Sequence, residues 1–170
     1  VVIVGTGSGL SYAELGATHH SLEDMAILRS IPNIQICAPA DPQELVYQLR
    51  EALDSKKPTY IRIGKKGEPD IFKNKDAKLG IGKANHLIRG EKILVMSIGP
   101  IINEAIKAAQ ILSHDGINIG VASMGSIKPV DTRFIKEAIE HGYNNIVTLE
   151  EHHRDGGLGT TVSEWITDNE

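Results

Sequence analysis

The chain has 170 residues, of which 41% are hydrophobic and 24% charged, and its formal net charge is −4. These proportions are ordinary for a globular protein, and the length allows one or two small domains with apolar cores. The acidic balance argues against a general nucleic-acid binder, because neutralising phosphates requires a basic face. No apolar run approaches the roughly 20 residues of a membrane span. No signal-peptide pattern is visible, so we expect a cytoplasmic protein with no membrane partner.

The single cysteine and the two ends of the sequence carry further information. Cys37 lies in the apolar run 34–38, so an internal disulfide is impossible and a buried, unreactive thiol is expected. Val1–Val4 is a continuous β-branched run, which predicts a strand buried on both faces. Glu164–Ile166 has the pattern of a helix that is still running near Glu170. We therefore interpret the sequence as a piece of a longer chain.

The first part of the sequence alternates strand and helix patterns. Ser21 is predicted to cap a short helix that ends at Arg29, with Asp24 in the place of a capping-box acid. The βαβαβ order predicts a parallel sheet with helices on its faces. The predicted strands cover residues 1–4, 34–38 and 59–63.

The second predicted helix has the clearest start signals in the sequence. Asp41 is an N-cap residue, Pro42 occupies the first turn and Glu44 is an acid at the third position. Three leucines spaced four residues apart predict the buried stripe of this helix, namely Leu45, Leu49 and Leu53.

A change of composition divides the sequence into two units. Residues 64–82 are rich in lysine, glycine and aspartate and poor in apolar residues, which indicates a linker with an irregular path. A second βα series follows, in which Asp131 is predicted to cap a helix that ends near Gly142. We predict an α/β fold of two stacked βαβ-type units, with mostly parallel sheets and helices on both faces. The predicted domains are 1–66 and 83–170, joined by the linker 67–82.

Two loop motifs have features of ligand-binding sites. Three glycines in Gly5–Gly9 follow the first strand, but no helix opens at the third glycine, so a dinucleotide site is disfavoured. His20 and Asp24 are spaced to share a helix face, yet no third metal ligand stands at a recognised spacing. A histidine at a helix start near a sheet's carboxyl edge can instead bond to a substrate hydroxyl or carbonyl, or move a proton. An exposed loop remains the plain alternative.

Two further polar stretches follow predicted strands. Glu150–Asp155 offers paired carboxylates for acid–base chemistry, although a solvated loop is the commoner outcome for such a run. Gly156–Gly159 precedes the last helix and could bind an anion or pack tightly against the sheet. Lys65 and Lys66 follow a strand end, where a lysine can hold a sugar phosphate or face solvent.

The run Gly16–Asp24, taken together with Ile31–Asn33 and Ala38–Pro42, resembles a signature of the transketolase family. The resemblance covers nearly the whole chain: the first unit is similar to the later half of that family's pyrimidine-binding domain, and the second to its C-terminal domain. The C-terminal features are also similar to those of deoxyxylulose-phosphate synthases and of the β subunits of 2-oxoacid dehydrogenases. These features are Ile98-Gly99, Met124–Asp131, and Glu150–His152 leading into Gly156–Gly159.

The resemblance implies an enzyme that moves two-carbon ketol units between sugars or sugar phosphates with thiamine diphosphate and Mg²⁺. His19 matches the family histidine that lines the active site, and Thr18, His20 and Lys65 are the implied substrate-binding residues. The main elements that bind the cofactor and the metal are not visible in this segment. They are expected in an N-terminal region on the same or a partner chain. A homodimer is implied, and the segment alone is expected to be inactive.

Several positions depart from the family pattern. Leu15 stands where many transketolases have an aspartate that contacts a substrate hydroxyl, and Ala17 replaces a proline. A phosphate-binding histidine falls at Gly7 and a phosphate-binding arginine at Lys65. These departures weaken the usual grip on a sugar phosphate, in a transketolase and in a deoxyxylulose-phosphate synthase alike, and leave open an unusual sugar or 2-oxo acid substrate. The alternatives to a transketolase-like enzyme are a deoxyxylulose-phosphate synthase-like or 2-oxoacid dehydrogenase β-like enzyme and a non-catalytic dimerisation or regulatory module.

Overall fold

The computed structural model describes residues 1–65, 67–73 and 77–169. Lys66, for which a role beside Lys65 was considered, lies outside the described residues. The strands are β1 (Val2–Thr6), β2 (Gln35–Cys37), β3 (Thr59–Ile63), β4 (Asn85–Ile88), β5 (Ile93–Ser97), β6 (Gly120–Ser123), β7 (Ser126–Lys128) and β8 (Asn145–Leu149). The α-helices are α1 (Asp24–Arg29), α2 (Pro42–Asp54), α3 (Ile102–His114), α4 (Thr132–Glu140) and α5 (Leu158–Asn169), and 3₁₀ turns cover Ala13–Leu15 and Ala17–His19.

The described strands form two four-stranded sheets with the orders β1-β3-β2-β7 and β4-β6-β5-β8. All neighbours pair in parallel except β7, which is antiparallel to β2, and β4, which is antiparallel to β6. The predicted α/β fold with mostly parallel sheets is confirmed. Sequence analysis did not predict β7, which belongs by position to the second unit but completes the first sheet.

The strand β1 forms as predicted, but it is not buried on both faces. It is an edge strand whose only strand neighbour in the described sheet is β3. Ile3 and Val4 are 53% and 47% exposed. The β-branched run correctly predicted strand geometry, whereas its burial depends on pairing and packing partners that a local pattern does not specify.

The two helices of the first unit depart from their predicted details in different ways. α1 starts at Asp24 without a side-chain cap, so the predicted Ser21 capping box is wrong. Ser21 instead forms a backbone bridge with Gly9. Asp41 does cap α2, because its Oδ1 accepts a 2.8 Å hydrogen bond from Glu44 N. The predicted leucine stripe is only partly right, since Leu53 is 64% exposed and the buried positions of α2 are Glu44, Gln48 and Ala52.

The second unit follows the prediction closely at α4. Asp131 Oδ1 accepts a 3.0 Å hydrogen bond from Phe134 N, and Gly142 has a positive φ just beyond the helix end. In the described part of the segment 64–82, several apolar residues are buried, although its composition indicates a solvated linker. Ile71 and Phe72 are buried in a core cluster with Ala40 and Ile102, so the connection packs against both units. The domain boundaries stay a prediction.

The apolar core confirms the buried thiol. Cys37 is 0% exposed, and burial is the main reason that its pKa is raised to about 12. A thiol with so high a pKa stays protonated and is a poor nucleophile. The largest core cluster joins both units, with Met25 and Ile36 from the first and Met96 and Leu158 from the second. Within the described ranges, no helix is both long and apolar enough to cross a membrane.

Candidate functional site

The loop between β1 and α1 is fastened to the carboxyl end of β3. Gly7 N donates a 3.2 Å hydrogen bond to Gly64 O, and Ser8 N donates one of 3.0 Å to Ile63 O. Gly9 and Ser21 exchange backbone hydrogen bonds of 3.1 and 3.0 Å across the base of the loop. The segment between these two residues, including His19, therefore lies at the carboxyl edge of the first sheet, where open α/β sheets bind ligands.

Three of the predicted site residues gather on the exposed side of this loop. Thr18 Oγ1 lies 3.0 Å from His19 Nδ1, and both residues are exposed. Lys65, from the end of β3, has its Nζ 4.6 Å from the ring centroid of Tyr12 and 3.1 Å from Glu14 Oε1. The rings of Tyr12 and His19 have centroids 6.3 Å apart. The structure therefore brings His19 and Lys65 to one surface through Tyr12, which sequence analysis did not single out.

His20 differs from its neighbour in burial. It is half-buried, and its Nε2 is a buried atom for which the described part of the chain shows no hydrogen-bond partner. A buried imidazole nitrogen without a partner costs free energy, so this atom is a candidate contact for a ligand. The predicted substrate-binding roles of Thr18, His20 and Lys65 stay predictions. The predicted catalytic role of His19 also stays a prediction.

Asp24, which was weighed as a metal ligand with His20, has other partners. Its Oδ2 accepts a 2.7 Å hydrogen bond from the Tyr60 hydroxyl and lies 3.0 Å from Arg62 Nε. Arg62 is nearly buried and also donates to the backbone carbonyls of Ser21 and Glu151. The network joins β3, the start of α1 and the loop that follows β8. It fixes the base of the loop that carries His19.

The polar run after β8 is a structural junction in this fold. Glu150 accepts hydrogen bonds of 2.7 and 2.8 Å from Leu158 N and Gly159 N, so its carboxylate caps the start of α5. His153 N donates a 2.7 Å hydrogen bond to Leu22 O. The Glu151 side chain accepts a 3.3 Å bond from Leu10 N. The run thus docks the second unit onto the loop of the candidate site.

The side chain of His152 is buried inside this junction. Its Nδ1 lies 2.8 Å from the carbonyl oxygen of His153 and its Nε2 lies 3.4 Å from Ala26 N. Because a carbonyl only accepts and an amide only donates, the neutral ring carries its proton on Nδ1. The imidazole therefore holds α1 against the second unit.

Sequence analysis identified Glu44 as an acid in the first turn of α2 but did not predict that it is buried between the units. Glu44 is 0% exposed, and burial raises the pKa of its carboxyl to about 8. Its Oε2 accepts a 2.7 Å hydrogen bond from Ala40 N. Three buried oxygens of this cluster have no hydrogen-bond partner among the described residues, namely Glu44 Oε1, Gln48 Oε1 and Ser123 Oγ. No pattern in the sequence marks this cluster, because an acid in a helix's first turn is usually solvated.

A cluster of metal-binding side chains was also sought among the described residues. Across residues 1–65, 67–73 and 77–169, no group of three or more histidine, cysteine, aspartate or glutamate side chains is arranged to hold a metal ion. The exposed His19 ring and the buried Nε2 of His20 are both available to contact a ligand.

Comparison with known proteins identifies the family that this fold and site belong to. Residues 1–68 match the family model of the transketolase pyrimidine binding domain, and residues 82–170 match that of the transketolase C-terminal domain. The chain therefore belongs to the transketolase family, whose members depend on thiamine diphosphate, and it is a C-terminal part of a transketolase-like protein.

Three curated relatives show the range of this similarity. One of the subunits of an apulose-4-phosphate transketolase from Phocaeicola vulgatus is 39% identical over 99% of this chain and 54% of its own length. The putative transketolase C-terminal section of Methanocaldococcus jannaschii is 36% identical, covering 99% and 52%. The 1-deoxy-D-xylulose-5-phosphate synthase of Parabacteroides distasonis is 40% identical, covering 92% and 25%. The chain thus spans at most about half the length of these relatives.

Solved structures agree with the sequence comparison. A structure described as a split gene transketolase, inactive beta4 tetramer, superposes with a TM-score of 0.87 at 31% identity and covers 99% of this chain and 54% of that chain. A transketolase from Pichia stipitis gives a TM-score of 0.69 at 23% identity, covering 86% and 22%, and shows the fold alone.

Proposed function

We propose that this chain is the part of a thiamine-diphosphate-dependent enzyme that transfers two-carbon ketol units between sugars or sugar phosphates. His19 is the catalytic residue of this part, and Thr18, His20 and Lys65 contact the substrate. The observation that carries the proposal is the grouping of His19 with Thr18 and Lys65 at the carboxyl edge of the first sheet. A relative that is 39% identical over 99% of this chain is named as part of a transketolase.

The chemistry that follows for His19 depends on its ring protons. When the Thr18 hydroxyl donates to Nδ1, the neutral imidazole carries its proton on Nε2. That proton is available to a substrate hydroxyl or carbonyl oxygen, because His19 is exposed on the loop. A hydrogen bond that strengthens as negative charge develops on a substrate oxygen lowers the barrier to its formation. Thiamine diphosphate supplies the carbanion chemistry of the two-carbon transfer when it is bound.

The cofactor and Mg²⁺ belong, in this proposal, to an N-terminal region on the same or a partner chain. The assembly is a homodimer with respect to this chain, the enzyme is cytoplasmic, and the chain alone is inactive. The relative described as an inactive beta4 tetramer supports the last point by analogy.

The test is reconstitution of the complete enzyme. This chain, joined or mixed with the region that binds thiamine diphosphate and Mg²⁺, should transfer a two-carbon unit from a ketose donor to an aldose acceptor. Calorimetric titration of the chain alone with thiamine diphosphate and Mg²⁺ should show no binding. Tight binding by the isolated chain would show that the elements that bind the cofactor lie within this chain, contrary to this proposal.

A second candidate is a deoxyxylulose-phosphate synthase-like activity, which the relative that is 40% identical over 92% of this chain favours. The two reactions differ in their donor, because a 2-oxo acid loses CO₂ when its two-carbon unit is transferred and a ketose does not. Release of CO₂ from pyruvate, with no transfer from ketoses, would support the second candidate. Stable assembly without either activity would support a dimerisation or regulatory module.

A further inference from the structure

A cavity of about 740 Å³ lies in the second unit between the edge strand β4 and the helix α4, and we call it the β4–α4 cavity. Its wall is formed by residues of β4 and α4, by Tyr143 and by the stretch just before β4. A volume of this size is typical of sites that hold small organic molecules. The cavity is separate from the candidate site, because its lining includes none of Thr18, His19, His20 and Lys65.

The ring of His86 is held in the wall of this cavity by two aromatic neighbours. Its centroid lies 5.4 Å from that of Phe134, in an edge-to-face arrangement, and 5.6 Å from that of Tyr143. His86 Nε2 lies 3.2 Å from the Tyr143 hydroxyl oxygen, which also accepts a 2.9 Å hydrogen bond from Gly90 N. These contacts fix the orientation of the imidazole ring.

The same contacts determine which nitrogen of His86 carries the proton. Tyr143 is buried, and His86 Nε2 is the acceptor that the described residues offer to its hydroxyl proton. Burial, then Arg89 and His141, lower the pKa of His86, so the ring is largely neutral at pH 7. A neutral imidazole that accepts at Nε2 carries its proton on Nδ1. This N–H has no partner among the described residues and is available to a ligand in the cavity.

The wall of the cavity carries a net positive charge, although the chain as a whole has a formal net charge of −4. Four lysine or arginine side chains and two carboxylates line it, so its formal charge is +2 (4 − 2) with neutral histidines. An anion is therefore attracted to this place on an otherwise acidic molecule. The six side chains are Lys78, Lys83, Arg89, Arg133, Asp131 and Glu137.

Neighbouring glutamates neutralise only part of this positive charge. Lys83 and Arg133 form ion pairs with glutamate side chains at 3.1 and 3.0 Å. Lys78 and Arg89 form no ion pair within residues 1–65, 67–73 and 77–169. Arg89 is also close enough to His86 to lower its pKa. A guanidinium thus lies near the Nδ1–H donor.

We infer that the β4–α4 cavity binds a small organic phosphate, whose phosphate group accepts a hydrogen bond from His86 Nδ1–H and pairs with Arg89. A phosphate monoester carries nearly two negative charges at pH 7 and three acceptor oxygens, so it can engage several donors at once. A guanidinium binds two of these oxygens in parallel. The volume of the cavity leaves room for the organic part of the ester. The inference does not depend on the proposed function, because binding is measured without turnover.

The test is calorimetric titration of the complete protein with phenyl phosphate, a phosphate ester that is not a sugar, and with benzoate, a carboxylate with the same ring. The unmodified protein should bind phenyl phosphate more tightly than benzoate. Arg89→Gln should weaken the binding of phenyl phosphate about tenfold, as expected for the loss of one charge-assisted hydrogen bond. His86→Phe keeps a ring but removes the Nδ1–H donor, and it should also weaken binding.

Arg50→Gln is the matched control, because Arg50 is likewise an exposed arginine but lies on α2, outside the cavity. It should leave the affinity unchanged. Arg89 is exposed, so Arg89→Gln should fold normally and keeps the test decisive if His86→Phe does not fold.

Three results would overturn the inference. The first is that the unmodified protein does not bind phenyl phosphate, or that Arg89→Gln binds it as tightly as Arg50→Gln does. The second is tighter binding of benzoate, which would exclude a phosphate as the preferred group. The third is binding that His19→Ala abolishes and Arg89→Gln leaves intact, which would place the probe at the candidate site.

Discussion

Arg62 Nε lies 3.0 Å from Asp24 Oδ2, and their side chains are only 4% and 15% exposed. The same guanidinium donates to Ser21 O and Glu151 O. This ion pair thus ties three separate stretches of chain together beneath the loop that carries His19.

Arg62→Met should destabilise the fold strongly, because it leaves the Asp24 carboxylate buried without its cation. Removing one partner of a buried pair costs about 3–5 kcal/mol of unfolding free energy. Urea unfolding followed by circular dichroism measures this loss. Arg133→Met is the control, since Arg133 forms an exposed pair with Glu137 at 3.0 Å and should lose at most about 0.5 kcal/mol. Similar losses in the two variants would show that the Arg62–Asp24 pair is not a structural anchor.

Glu44 should make stability fall as the pH rises through neutrality. Its folded pKa of about 8 exceeds the ordinary value of 4.5, so its contribution is fully present below pH 4.5 and is lost as the pH rises to about 8. Glu44→Gln should remove this loss and raise the unfolding free energy at pH 8 by on the order of 1–3 kcal/mol. Thermal unfolding between about pH 5 and pH 9 measures the difference.

The control for this experiment is Glu140→Gln, which changes an exposed acid that pairs with Lys136 at 3.8 Å. It should leave the slope of stability against pH unaltered. A Glu44→Gln variant with the same slope as the unmodified protein would mean that Glu44 is ionised in the folded state throughout this range.

His19→Ala in the complete enzyme should lower kcat by about 100-fold or more, in line with the contribution of a positioned acid–base group. The melting temperature should change little, because His19 is exposed and its hydrogen bond is to the neighbouring, equally exposed Thr18. His114→Ala, which removes an exposed histidine from the last turn of α3, should change neither quantity. Unaltered kinetics in His19→Ala would remove this residue from the mechanism.

Glu150→Ala should separate the structural role of this acid from the acid–base role considered for Glu150–Asp155. Loss of its hydrogen bonds to Leu158 N and Gly159 N should lower stability by about 0.5–2 kcal/mol, as for other helix caps. Glu150→Gln keeps one acceptor oxygen and should recover part of the loss. If both variants stay folded but lose activity to the same extent, Glu150 has a chemical role that capping does not explain.

The sequence predicts best those features whose cause is local. The Asp41 and Asp131 caps form as expected, because an N-cap depends on residues only two or three positions away. The burial of β1 was wrong and β7 was not predicted, since both depend on which strands become neighbours. The stripe of three leucines predicted the wrong buried face for part of α2, where Glu44 and Gln48 are buried. Their burial depends on packing against the second unit, as the hydrogen bond from Gln48 to Gly125 O shows.

In the candidate site, too, the sequence predicted the residues that belong to a local motif and missed those that depend on distant contacts. The run Gly16–Asp24 identified the loop and its histidines from the sequence. Tyr12 was missed because its relevance depends on a cation–π contact with Lys65, which is 53 positions away along the chain (65 − 12). The sequence could have raised this possibility only through the glycine at position 7, whose missing side chain leaves room for a ring.

The pairing of β7 with β2 affects whether the two units can be expressed as separate polypeptides. Ile36 and Cys37 find their partners at Lys128 and Ser126, about 90 residues later, so the first sheet gains its last strand only after much of the second unit has been synthesised. Contacts between such distant positions slow folding, because a long loop must close before they form. A polypeptide cut within residues 64–82 would leave one side of β2 as an unpaired edge prone to aggregation. Expression of the two units as separate domains should therefore yield less soluble protein than the uninterrupted chain.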